Sequence, residues 1–285
     1  MTAVQFQRAT KEITSGFLGR HKRILDDVSF SVVAGQIHGI VGHNGAGKST
    51  SLRLLTGCSR PTSGVITLFG ESPTQASTRR RLGFAPDIAA LPLDLRAEEL
   101  VAFVAAARRL ERVDPRAAVE RVGLEFRSEP LRSYSKGMQQ RLSLALAILG
   151  DPDVWVLDEP MSGLDPQGRQ LVRQLLIEHR LRGGTVIFSS HSLADVDALC
   201  EHLTVLEKGR VAYSGPAREL IGVAEFEVEF VGVVPIEGLE RGVHGSVAVV
   251  GADGLRAFLT RVPDARVHSI LPRVPDLATR MATRR

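Results

Sequence analysis

The chain has 285 residues, of which 44% are hydrophobic and 24% are charged, so it can bury one large or two unequal cores. This composition excludes a disordered chain, and no window approaches the roughly 18 consecutive apolar residues of a membrane span. The net charge of +4 is mild, which favours a solvated surface over nucleic-acid contact. Cys58 and Cys200 have no metal-binding spacing and fall in apolar helical patterns. We therefore expect both to be reduced core thiols of a cytosolic protein.

The first 60 residues predict short strands followed by a helix. The apolar run at residues 37–41 ends at Gly42 and is typical of a buried strand. Residues 48–56 have helical spacing, and Gly57 is a suitable residue to end that helix. The order is therefore strand, glycine-rich loop, helix.

The middle of the chain changes from strand-like to helical and back. Residues 94–123 are rich in Ala, Leu, Glu and Arg, and Asp114-Pro115 is a good start for a second helix there. We interpret this segment as a helical insertion into an α/β core. The core then resumes with strands predicted at 154–158 and 185–190, helices predicted at 167–181 and from 194, and a hairpin predicted at 203–215.

After Gly215 the pattern indicates a small β-rich appendix of about 60 residues. Strands are predicted at 225–234, 245–251 and 265–271, with helices at 254–261 and from Pro275. Two interpretations stay open. The appendix is either a packing extension of the main domain or a distinct regulatory or dimerising module.

The sequence GHNGAGKST begins at Gly42 and matches the P-loop pattern between a predicted strand and a predicted helix. Gly42, Gly45 and Gly47 let the backbone fold around an oxyanion and present N–H donors to it. The amine of Lys48 can neutralise β- and γ-phosphates, and the Ser49 hydroxyl can bind Mg²⁺. The pattern therefore predicts a nucleotide site.

Two further strand ends carry polar residues. The apolar run VWVLDEP places Asp158 at the end of a strand, where it can hold Mg²⁺, and Glu159 next to it, where it can polarise an attacking water. His191 follows the strand TVIFSS, and ligands gather at the carboxyl ends of parallel strands. We therefore expect His191 on the same sheet edge as Gly42, as a donor to the γ-phosphate.

As an ordered set, these motifs resemble the nucleotide-binding subunit of ATP-binding-cassette (ABC) transporters. The set comprises the P-loop, YSKGMQQR, VWVLDEP, SGLD and SSHSLADVDALC, and it covers about residues 4–220. The resemblance implies a P-loop NTPase fold of the α/β class, with a RecA-like core, an antiparallel β-subdomain and an α-helical subdomain at about 88–130. Residues 221–285 then form a small C-terminal α+β accessory domain.

The resemblance also implies an ATPase that works with ATP and Mg²⁺ as a head-to-tail dimer. Glu159, His191 and Lys48 match the catalytic positions. Asp165 matches the D-loop acid, and residues 135–139 match the signature loop, with Lys136 and Met138 departing from its usual form. The implied nucleotide-binding residues are Phe17, Gly42, His43, Asn44, Gly45, Ala46, Gly47, Lys48, Ser49, Thr50, Ser135, Lys136, Gly137, Met138, Gln139 and Asp165.

Two positions depart more clearly from the family pattern. Phe17 is the best candidate for the ring that stacks on adenine, with Phe6 or a nearby aliphatic residue as the alternative. Asp87 stands where the Q-loop glutamine is expected, and a carboxylate cannot donate a hydrogen bond as an amide does. The implied metal ligands are Ser49, Asp158 and, through a bound water, Asp87.

The sequence FAPDIAALPLDL and the appendix most resemble the ATPase subunits of type-2 ABC exporters, whose permeases are separate chains. This implies a cytoplasmic protein held at the inner face of the cell membrane by an integral-membrane permease, with export favoured over import. No nucleic-acid partner is expected. The alternatives are a soluble ABC-type ATPase with a non-transport partner and an ATP-binding regulator that does not hydrolyse.

Overall fold

A computed structural model of the protein describes most of the chain, and the described residues are 1–15, 20–88, 90–221, 225–231, 240–242, 245–251 and 266–273. The chain forms two compact units, Met1–Gly215 and Pro216–Arg285. A search of the described residues finds no helix that is long and apolar enough to span a membrane.

Strands and helices alternate through the first unit, and the α/β class predicted from the sequence is confirmed. The strands are β1 (Thr2–Ser15), β2 (Arg20–Val33), β3 (Ile37–Val41), β4 (Ser63–Leu68), β5 (Leu82–Ala85), β6 (Val154–Asp158), β7 (Thr185–Ser190), β8 (His202–Glu207) and β9 (Arg210–Pro216). The α-helices of this unit are α1 (Lys48–Leu55), α2 (Ala76–Arg80), α3 (Ala97–Arg108), α4 (Pro115–Glu120), α5 (Lys136–Ile148), α6 (Pro166–Leu181) and α7 (Leu193–Leu199). The next helix, α8 (Ala217–Ile221), belongs to the second unit.

A six-stranded sheet with the order β5-β6-β7-β3-β8-β9 forms the centre of this unit. Its neighbouring strands from β5 to β8 pair in parallel. All residues of β3, β6 and β7 are buried, as expected for a parallel sheet covered on both faces. The carboxyl ends of these three strands therefore lie side by side at one edge, where the predicted motifs are located.

A second sheet of three antiparallel strands has the order β2-β1-β4. Its inner face contributes Phe6 and Phe30, whose rings stack with centroids 4.4 Å apart. The prediction of short strands at the N-terminus was wrong, because β1 and β2 each have 14 residues. Irregularities in the pairing, such as the shift between Phe6 and Ala9, allow long strands to continue past breaks in the apolar alternation.

The predicted helical insertion is confirmed as α3 and α4. The Asp114 carboxylate accepts a hydrogen bond from the Arg116 backbone N–H at 2.9 Å, and Pro115 occupies the first helical position. Cys200 is buried, as expected, and burial raises the pKa of its thiol. The prediction for Cys58 was wrong, because this residue lies beyond Gly57, where α1 has already ended, and is exposed.

The second unit contains a four-stranded sheet. Its strands are β10 (Glu225–Val231), β11 (Glu240–Gly242), β12 (Gly245–Gly251) and β13 (Arg266–Arg273). The order is β11-β12-β10-β13 with antiparallel pairing throughout, which confirms the three strands predicted here. The predicted helices at 254–261 and from Pro275 lie outside the described residues.

Candidate functional site

The P-loop connects β3 to α1 at the carboxyl edge of the parallel sheet. Its first glycine is required by close packing, since a Cβ at Gly42 would lie 2.4 Å from the Leu206 carbonyl oxygen. Gly47 has φ 109° and no side chain to cap α1, so the first N–H groups of the helix stay free for an anion. His43, Asn44 and Gly45 are exposed, Ala46 is buried, and Ser49 and Thr50 are partly buried.

Three predicted catalytic side chains meet next to this loop. The Lys48 amine donates to the Gly42 carbonyl oxygen at 2.8 Å and lies 3.3 Å from Oε1 of Glu159. The other carboxylate oxygen of Glu159 lies 2.9 Å from Nδ1 of His191. We call Lys48, Asp158, Glu159 and His191 the Walker cluster. Its lysine is buried and its glutamate is partly buried, whereas the histidine side chain is 60% exposed.

A serine that sequence analysis missed holds the two acids of this cluster in place. The Ser189 hydroxyl donates to Oδ1 of Asp158 at 2.6 Å and accepts from the Glu159 backbone N–H at 2.9 Å. This bond pattern accompanies an unusual backbone at Glu159, whose φ is 49°. Such a conformation costs about 1 kcal/mol or more and is typical of functional positions. The polar end of the apolar strand TVIFSS was the signal that could have indicated Ser189.

Asp87 lies two residues beyond β5, at the same edge of the sheet. Burial raises the pKa of its carboxyl, and the negative charges of Asp158 and Glu159 raise it further. The positive charges of Lys136 and His191 lower this pKa. Asp87 is therefore within electrostatic reach of the Walker cluster and of Lys136 in the signature loop.

The donor set suits a magnesium ion. Ser49 and Asp158 offer the hydroxyl and carboxylate oxygens that Mg²⁺ prefers, and Oδ2 of Asp158 is not the atom bonded to Ser189. No group of three or more His, Cys, Asp or Glu side chains in the described residues has the arrangement of a complete metal site. Mg²⁺ takes one or two protein ligands and completes its shell with water and substrate phosphates.

The signature loop, residues 135–139, begins α5. The Ser135 hydroxyl accepts from the Met138 backbone N–H at 3.3 Å, and Gln139 donates to the Tyr134 carbonyl oxygen at 3.2 Å. Ser135 and Lys136 are exposed. A Cβ at Gly137 would have no atom within 4 Å. The backbone of this loop is therefore open to an approaching group.

The D-loop acid, Asp165, precedes α6 and caps it by accepting from the Gly168 backbone N–H at 2.9 Å. The same oxygen accepts from the Arg141 guanidinium at 3.1 Å. Arg141 belongs to the YSKGMQQR segment, but its partner is 24 residues away, so sequence analysis gave it no role. Phe17, the candidate for adenine stacking, lies outside the described residues.

Comparison with known proteins identifies the family to which this chain is similar. The family model described as "ABC transporter" matches residues 25–162. The Nod factor export ATP-binding protein I of Burkholderia thailandensis is 39% identical over 207 residues, which are 70% of this chain and 68% of that protein. The chain belongs to the ABC transporter family.

Other relatives agree with this assignment. An uncharacterised ABC transporter ATP-binding protein of Synechocystis is 36% identical over 227 residues, which are 77% of this chain. This chain spans 64% of that relative's own length. A solved structure of an ATP-binding subunit of an ABC transporter superposes with a TM-score of 0.67 at 28% identity, covering 76% of this chain and 91% of that one.

Proposed function

We propose that this ABC ATPase binds and hydrolyses Mg²⁺–ATP between two copies of itself, and that this cycle drives a separate membrane permease in export. The observation that carries the proposal is the Walker cluster, in which Lys48, Glu159 and His191 converge at the end of the P-loop strand. A nucleotide whose phosphates lie in the P-loop brings its terminal phosphate to these groups.

Each side chain then has a chemical task. Lys48 neutralises the phosphate charge, and His191 donates a hydrogen bond to the γ-phosphate. Glu159 orients the attacking water and accepts its proton. Ser49 and Asp158 would hold Mg²⁺, with Asp87 reaching it through a water, and the ion would offset the charge of the phosphates.

A second copy supplies the other half of the site. The signature loop is open at Gly137 and exposed at Ser135, so the Ser135 hydroxyl proton and the first N–H groups of α5, at Lys136 and Gly137, are available to a phosphate held elsewhere. A γ-phosphate contacted from both sides favours a closed head-to-tail dimer, and its loss removes that preference. Hydrolysis thereby becomes a cycle of closing and opening.

The segment that joins β5 to α3, together with α3 itself, carries exposed apolar side chains that are suited to contact with a permease. Ile88, Leu93 and Phe103 are exposed by 77%, 46% and 68%, respectively. All three lie in the helical subdomain at about 88–130. Apolar side chains at such exposure favour a protein contact, and a helix of the permease is the partner that we propose. The subunit would then be held at the inner face of the cell membrane.

Export is the direction that we propose. The relatives named Nod factor export ATP-binding protein I include the Burkholderia thailandensis protein, which is 39% identical to this chain. We propose the direction of transport from these relatives, and not their substrate. The chemistry of the transported molecule is set by the permease, because the ATPase subunit contacts nucleotide and permease alone in this proposal.

Affinity purification of the tagged chain from membranes, followed by an ATPase assay on the solubilised complex, tests the proposal. We expect an integral-membrane protein to co-purify, and we expect ATP hydrolysis that is lost in Glu159→Gln. Hydrolysis without a membrane partner would favour a soluble ATPase instead. A membrane partner without hydrolysis would favour an ATP-binding regulator, and either result contradicts the proposal.

A further inference from the structure

Arg141 connects three parts of the ATPase unit. It lies on α5, the helix that the signature loop begins, and its side chain is only 22% exposed. Its Nη2 lies 3.1 Å from Oδ1 of Asp165, and its Nη1 donates to the Gly123 carbonyl oxygen at 3.0 Å. One guanidinium thus joins the signature helix, the D-loop and the turn that follows α4.

Two glycines leave room for this guanidinium. A Cβ at Gly168 would lie 2.6 Å from Oδ1 of Asp165 and 2.7 Å from Nη2 of Arg141. A Cβ at Gly123 would lie 3.4 Å from Nη1 of Arg141, and this residue has φ 69°, a conformation that favours glycine. The planar group therefore fits a space that is closed on two sides, and its two nitrogens donate in fixed directions.

Asp165 is itself fixed by this arrangement. Its Oδ1 accepts from both Arg141 and the Gly168 N–H, although its side chain is 59% exposed. An exposed aspartate with one donor can change rotamer freely. Two donors to one oxygen, one of them charged, restrict it to a single orientation.

We infer that Arg141 is a positioning residue that holds the signature loop and the D-loop of one subunit in a fixed relation for contact with the second copy. This inference rests on the proposed function, in which both loops face the partner's nucleotide. Two loops that contact one partner must fit it together, and a displacement of about 1 Å costs about 100-fold in rate. Arg141 contacts neither nucleotide nor the reacting atoms.

ATPase kinetics of the full-length chain test this inference with Arg141→Met, Arg141→Lys and a matched control, Arg132→Met. Arg132 pairs with Asp94 at 3.1 Å just before the signature loop, but its side chain is 66% exposed. For Arg141→Met we expect kcat to fall at least about tenfold with KM for ATP within about twofold. A lysine side chain has one nitrogen and cannot reproduce both hydrogen bonds, so the kcat of Arg141→Lys should lie between those of the wild type and Arg141→Met. The control should match the wild type.

Gly168→Ala separates positioning from stability, and it serves if Arg141→Met does not fold. Alanine favours a helix more than glycine does, so thermal stability should hold or rise. The added methyl displaces the Arg141–Asp165 pair, so kcat should still fall. In the Glu159→Gln background, either change should weaken the ATP-dependent dimer, which should then dissociate at a higher protein concentration.

The inference is overturned if Arg141→Met or Gly168→Ala hydrolyses ATP within about twofold of the wild-type rate. It is also overturned if nucleotide affinity falls as much as kcat, because the effect would then lie in the Walker cluster. A wild-type chain without ATPase activity would contradict the proposed function. If the wild type is active and the variants are equally active, the proposed function stands and the role of Arg141 is rejected.

Discussion

The Walker cluster and the signature loop differ in how far each is completed by its own subunit. Lys48 and Glu159 are exposed by only 7% and 14% and are bonded to each other. Ser135 and Lys136 are exposed, and the space in front of Gly137 is open. One region has its partners in the same chain, whereas the other presents donors without an acceptor opposite them.

Because of this difference, we expect the two regions to respond differently to mutation. A change in the Walker cluster alters contacts that exist within one subunit, so it should affect nucleotide binding or the chemical step directly. A change in the signature loop should leave nucleotide binding intact and affect only steps that need a second copy.

The largest effect is expected for Glu159→Gln. An amide cannot accept the proton of the attacking water, so turnover should fall about 1000-fold. ATP should then hold the closed dimer, which light scattering detects as a doubled mass. Glu125→Gln, at a side chain that is 77% exposed, is the control and should behave as the wild type. A monomeric Glu159→Gln variant in saturating ATP would contradict the proposed closure.

Lys48→Ala should weaken ATP binding about 100-fold or more, because the variant removes a charge that is buried next to the phosphate loop. Titration calorimetry with ATP measures this. Lys22→Ala removes an exposed lysine on β2 and is the matched control. If Lys48→Ala bound ATP with unchanged affinity, the P-loop would not be the nucleotide site.

Gly137→Asp is expected to reduce turnover at least about tenfold while ATP affinity stays the same. The new carboxylate would project into open space in front of the loop and repel the partner's γ-phosphate. Gly137→Asn is the matched comparison, because its side chain has the same size without the charge, and it should lose less turnover. Normal turnover in the aspartate variant would rule out phosphate contact by the signature loop.

The smallest effect concerns stability and a histidine inside the sheet. Burial lowers the pKa of His38 to about 3, and its Nε2 bonds the Thr204 hydroxyl at 2.9 Å. Because the unfolded chain binds this proton near pH 6.5, stability should be full above that pH and fall as the pH decreases towards 3. At pH 5 the expected loss is about 2 kcal/mol.

Urea denaturation at pH 7 and pH 5 measures this loss, with His38→Gln as the comparison. The variant should be less stable at pH 7 but should lose less on acidification. Equal losses in both chains would show that His38 does not titrate between folded and unfolded states.

Local patterns predicted the parts of this molecule that depend on neighbouring residues. The strands β3, β6 and β7 are continuous apolar runs, and the glycines of the P-loop lie between a strand and a helix. Contacts between distant segments were not predicted. Ser189 meets Asp158 across 31 residues, and Arg141 meets Asp165 across 24. The pairing of β1 with β2 through bulges likewise depends on two strands at once.

The two cysteines give the chain a practical asymmetry. Cys200 is buried and burial raises the pKa of its thiol, whereas Cys58 is exposed. A maleimide dye added to the native protein should therefore label one position, just beyond the helix that begins at Lys48. The unaltered chain thus offers one site for attaching a dye, with no need to remove its second cysteine.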